Sequence, residues 1–147
     1  MLKTILAVIV GYVAMAVVVF AVFTALYAAM GADRAFQPGT YDPSTLWVVC
    51  SLLVSLLAAV VGGMVAVRMG GRSATRALAI LVVVLGVGLA WPAINAPAET
   101  LPAIRAADVP NMEAMRNTRQ PTWVALALPF IGAVGVMIGG ARSRQSP

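Results

Sequence analysis

The chain has 147 residues, of which 61% are hydrophobic and only 10% charged. So little charge cannot cover a water-facing surface, which excludes an ordinary soluble domain and leaves the class in which lipid replaces water as solvent. The net charge of +5 excludes little by itself, but the basic residues are strung along the chain and form no clustered basic face of the kind that binds nucleic acid.

The first apolar run extends from about Ile5 to Met30 without a charge. As a helix, about 26 residues reach roughly 39 Å, more than the roughly 30 Å of a bilayer core, so the helix should tilt or project. Lys3 gives it the basic start of a signal peptide, but the run is far longer than such a segment needs, and it reads as an uncleaved anchor. A short polar segment with Asp33, Arg34 and the Phe36–Tyr41 turn follows.

The second run covers about Leu46 to Met69. Asp42 is placed to cap it and Pro43 to fill its first helical position, where no N–H is needed. Cys50, the single cysteine, sits near its start and reads as a small apolar residue. Gly70 and Gly71 supply a stop and a tight turn. The third run, about Ala74 to Trp91 with Ser73 as its cap, follows so closely that runs two and three must form an antiparallel hairpin. Pro92 and Pro97 are expected to end it.

Residues 93–121 form a long connection stiffened by Pro97, Pro102, Pro110 and Pro121. Within it, Asp108 to Thr118 suits a short helix lying on the membrane surface, capped by Asp108, with Met112 and Met115 on one face and Arg116 and Arg119 toward headgroups or a partner. Asp108, Met112, Glu113, Met115, Arg116 and Arg119 are therefore the candidate outer contacts. Two methionines three apart are too few for a copper(I) site. The fourth run, about Thr122 to Gly140, contains Pro129, which removes a backbone hydrogen bond and predicts a kink.

These runs define an all-α membrane protein: one domain over residues 1–147, with four transmembrane helices (about 5–30, 46–69, 74–91 and 122–140) in an antiparallel bundle. All five acids (Asp33, Asp42, Glu99, Asp108, Glu113) lie in the two segments after runs one and three. The N-terminus, the Gly70–Arg76 turn and the C-terminal tail carry Lys3, Arg68, Arg72, Arg76, Arg142 and Arg144 and no acid. The positive-inside rule then puts both termini in the cytoplasm. Trp47, Trp91 and Trp123 fall at the outer ends of their helices, with Tyr27 and Tyr41 nearby, as interfacial anchors. Composition rich in Ala, Val and Arg with almost no Lys suggests a GC-rich bacterial genome and hence the bacterial inner membrane.

Helices in lipid associate through small residues that let backbones approach. Gly132, Gly135 and Gly139 line one side of run four, and Gly11 and Gly63 belong to small-xxx-small pairs on runs one and two. These five are the candidate helix-packing or partner contacts, with the glycine side of run four the foremost surface for a second protein.

Chemistry has little to work with. No Asp, Glu, Lys or Arg lies inside a run away from its ends, whereas coupled transporters usually keep a charged residue there. Histidine is absent, and neither a lysine nor an acid lies near a plausible serine to act as its base. Nucleotide phosphate loops are missing, and no cofactor or metal is expected. Tyr12, Thr24, Ser51 and Ser55 are the polar groups at depth and read as structural. The expectation is a non-catalytic membrane protein, an accessory or structural subunit that packs against other membrane subunits. The alternative is a small transporter or channel acting as a homo-oligomer.

Overall fold

A computed structural model describes residues 1–95, 104, 109–119 and 121–142, apart from the side chains at 92–94, 111, 114 and 115. Expectations resting on Pro97, Asp108 and Arg144 lie outside the described residues, as does the side chain of Met115. Among the described residues all regular structure is helical: α1 Leu2–Met30, α2 Ala32–Ala35, α3 Thr45–Asn95, α4 Asn111–Asn117 and α5 Thr122–Arg142. Three of these, α1, α3 and α5, are long and apolar enough to cross a membrane. The chain is thus an all-helical, multi-pass membrane protein.

The 51 residues of α3 are not one continuous rod. Gly71, at φ 69° and ψ −161°, breaks it in a backbone region that only glycine occupies without strain. Helix α5 shows what the break does. Going up α5, Gly135 meets Leu56 and Ala59, and Gly139 meets Val60 and Met64, so the arm before Gly71 runs parallel to α5. Pro129 meets Gly86, Gly132 meets Val82 and Gly140 meets Thr75, so the arm after Gly71 runs antiparallel. The chain therefore reverses at Gly71, where the sequence places its tight turn. Helix α1 also packs on α3: Ala7 reaches Gly70, Gly11 reaches Gly62 and Ala66, and Met15 reaches Gly62. Helices α1 and α5 both lie on α3 and hardly meet each other.

Several local expectations are corrected. Ser44 and not Asp42 caps α3, since its Oγ accepts the Trp47 N–H at 3.1 Å. Pro43 is used earlier, in an isolated bridge with Phe36. Ser73 is no cap either; its hydroxyl donates back to the Gly70 carbonyl at 3.3 Å. The arm after Gly71 continues through Pro92 to Asn95, whose Nδ2 donates to the Trp91 carbonyl at 2.8 Å. A proline in a last turn removes only one backbone bond, and the side-chain amide supplies another to that turn's carbonyls. Pro129 leaves α5 helical throughout: it is buried, and its ring rests on Gly86, where any side chain would collide with it.

Candidate functional site

The expected residues divide among three places. The first is the helix seam. Gly11, Gly63, Gly132, Gly135 and Gly139 are all buried at contacts between helices of the same chain. A methyl added at Gly135 would stand 2.7 Å from Ala59 Cβ, and one at Gly63 would run into the Val136 carbonyl. Ala7, Ala59, Ala66, Ala74, Leu78 and Val136 close the seam with little or no exposure. These glycines let the backbones of α1, α3 and α5 touch, and dispersion across such contacts is what holds helices together in lipid. The glycine side of α5 is thus occupied by α3. The other side of α5 carries Leu126, Phe130, Val134 and Met137, all exposed.

The second place is a cap at one end of the helices. At the end of α1, Gly31 (φ 72°) turns the chain, and its N–H closes on the Tyr27 carbonyl at 2.8 Å. The short α2 leads to a loop in which the Gln37 N–H donates to the Asp42 carbonyl at 2.9 Å and the Ser44 N–H to the Ala35 carbonyl at 2.9 Å. Phe36 and Tyr41 stack edge to face inside it, centroids 6.0 Å apart. Residues of the later connection then dock on this loop. The Tyr27 hydroxyl donates to the Val109 carbonyl at 2.6 Å, the Arg119 N–H donates to the Tyr41 carbonyl at 3.1 Å, and the Tyr41 hydroxyl donates to Glu113 Oε1 at 3.2 Å. Tyr27, Ala35, Phe36, Tyr41 and Val109 form a second buried cluster, supported by Trp47.

The cap locates most of the expected outer contacts. Helix α4 covers much of the predicted 108–118 segment and begins after Pro110. Glu113 is engaged with Tyr41. Met112 and Arg116 are exposed, and Arg119 is partly buried where its backbone joins Tyr41. The tryptophans differ from one another. Trp91 and Trp123 are 68% and 60% exposed, whereas Trp47 packs against Phe23 and Tyr27 at 5.6 and 6.1 Å. Tyr27 and Tyr41 are cap core and not headgroup anchors: each buries its ring and places its hydroxyl on a partner from the later connection. Nothing in the sequence distinguishes such a tyrosine from an interfacial one, because both need an apolar body and one polar contact.

The third place was not foreseen. A cleft of about 330 Å³ is lined by α1, by both arms of α3 and by α5. Tyr12, Met15, Ser55, Val82, Leu89 and Leu128 are among its walls, and no Asp, Glu, Lys or Arg lines it. Ser51, one turn before Ser55, donates to its own helix at the Trp47 carbonyl (2.7 Å), and Thr75 does so at the Gly71 carbonyl (3.3 Å). Among the described residues the hydroxyls of Tyr12 and Ser55 have no such partner. No group of three or more His, Cys, Asp or Glu gathers among the described residues. No protein-family model matches the chain, and neither a curated protein nor a solved structure is significantly similar to it.

Proposed function

We propose that the chain is a four-span helical bundle of the bacterial inner membrane, both termini cytoplasmic, acting as a non-catalytic subunit that packs against a larger membrane complex. In this reading each arm of α3 is a span of its own. Residues 45–70 and 72–95 extend about 39 and 36 Å as helices, each enough for a bilayer core. Lys3, Arg68, Arg72, Arg76 and Arg142 are exposed, and the contacts of Gly70 with Ala7 and of Gly140 with Thr75 bring their helix ends to one side.

The observation that carries the subunit reading is the cap. Three hydrogen bonds, to Val109, Glu113 and Arg119, and an aromatic cluster hold α4 and its flanks on the loop before α3, while Met112 and Arg116 stay exposed. An ordered surface with an exposed apolar group and a cation suits recognition of another chain. The test is extraction from native membranes in mild detergent with the mass and composition of the particle measured. The reading expects other polypeptides in the particle and their loss with Arg116→Glu. A lone monomer or homo-oligomer would sink it. The mid-depth cleft favours a second reading, a small transporter working as a homo-oligomer, for which flux in vesicles should fall with Tyr12→Phe or Ser55→Ala.

A further inference from the structure

We infer that the cleft lined by α1, α3 and α5 is a binding site for a neutral, membrane-dissolved amphiphile, its carbonyl or hydroxyl head held by the hydroxyl of Tyr12 or Ser55 and its apolar chain lying along the helices. Four observations converge on this ligand class. The volume, about 330 Å³, falls at the lower end of the roughly 300–1,000 Å³ typical of small-molecule sites. The walls are apolar apart from two side-chain hydroxyls. Those hydroxyls differ from their neighbours at depth: Ser51 and Thr75 bond back to their own helices, while Tyr12 and Ser55, both in the cleft walls, make no such bond. Finally, with no Asp, Glu, Lys or Arg in the walls, a charged head would enter without a counter-charge, which the bilayer interior disfavours strongly.

The depth of the site decides between an amphiphile and plain hydrocarbon. Tyr12 and Ser55 each lie ten residues inside their helices, about 15 Å from the helix end, too deep for headgroup water to serve them. A saturated lipid tail fills space but offers neither hydroxyl a partner. A ligand bearing one carbonyl or hydroxyl does both. Leu89 and Tyr12 stand in the walls and are exposed, so the cleft is reachable sideways from the bilayer, the phase in which such a ligand dissolves.

The experiment uses the full chain in phosphatidylcholine nanodiscs, photolabelled with decanol carrying a diazirine and mapped by peptide mass spectrometry. Adducts should concentrate on cleft residues such as Met15, Val82 and Leu128, and excess decanol should compete them away while decane does not. Tyr12→Phe combined with Ser55→Ala, two changes that each remove one oxygen, should lower cleft labelling about tenfold, the size expected for losing roughly one well-made hydrogen bond. Labelling of the exposed Phe130 should stay as it was and serve as the internal reference. As a check independent of the hydroxyls, Ala125→Phe should fill the cleft and abolish its adducts. Equal competition by decane would overturn the proposal by showing an apolar void open to any chain. So would cleft labelling no greater than that of Val17 and Phe130, or none at all because a second copy or partner helix fills the space.

Discussion

The seam and the cap assemble the same chain by opposite means. In the seam the contacts are made by alanine, glycine and a few branched aliphatics, and backbones touch directly. In the cap the contacts are aromatic rings and hydrogen bonds between segments far apart in sequence. The two environments demand this division. Between apolar helices in lipid there is no hydrophobic gain from burying a large side chain, so association depends on close van der Waals fit and on small residues. Outside the hydrocarbon, burial of Phe36 and Tyr41 regains its value, and backbone polar groups must find partners one by one. The same chain therefore reads as poor in aromatics along its packed helices and rich in specific polar contacts at one end.

The sharpest way to break this comparison is to add atoms to the seam. Gly139→Ala drives a methyl into the Val60 carbonyl, and Gly63→Ala drives one into Val136. Each should cost about 3 kcal/mol, the upper range for overpacking, because backbone and not a flexible side chain stands in the way. Reversible unfolding in mixed micelles measures it. Retained stability would mean that the helices are held by something other than close approach. Next in size is Gly71→Ala, expected to lose about 1–3 kcal/mol because alanine cannot adopt φ 69°, ψ −161° without strain. The same unfolding assay reports it, and an unchanged midpoint would show that the turn tolerates another backbone path.

The cap should respond to losing hydrogen bonds and not to added volume. Tyr27→Phe keeps the ring and leaves the Val109 carbonyl without its 2.6 Å donor, a loss of about 1–2 kcal/mol. It should appear as faster proteolysis between α3 and α4, with the seam's unfolding midpoint nearly unmoved. If cutting does not accelerate, the hydroxyl is not what fixes the later connection. Ser44→Ala removes the cap of α3 and should cost about 1 kcal/mol by the same unfolding measurement. The smallest effect is expected at Gly88, where an added methyl meets nothing. Gly88→Ala should be neutral or stabilise by up to about 1 kcal/mol through helix propensity. A loss there comparable to Gly139→Ala would erase the distinction between the packed and unpacked sides.

Much of the framework was legible from residue order. The apolar runs, the stop at Gly70–Gly71, the short helix before Pro121 and the abundance of small residues for close packing all follow from local composition. The differences are also local, and each arises at a residue whose role is set by a partner that its own chemistry does not reveal. Asp42 was a chemically adequate cap, but the Phe36–Pro43 pairing shifts the helix start so that Ser44 takes the position. Pro92 looked like a terminator, yet the helix continues one more turn with Asn95 supplying a donor to it. Tyr27 and Tyr41 had the form of interfacial anchors, and only the arrival of Val109 and Glu113 made them core.

What the sequence determined by itself is the solvent and the segments: where the chain suits lipid, where it must bend, and which residues are small enough for helices to touch. Those follow from transfer free energy and backbone sterics, which act residue by residue. The tertiary structure decided who touches whom. It spent the glycine side of α5 on α3, gave Pro129 a seat on Gly86, and left a cleft with two hydroxyls in its walls, lined by α1, α3 and α5. Such pairings depend on the simultaneous fit of several surfaces, and no single helix carries that information.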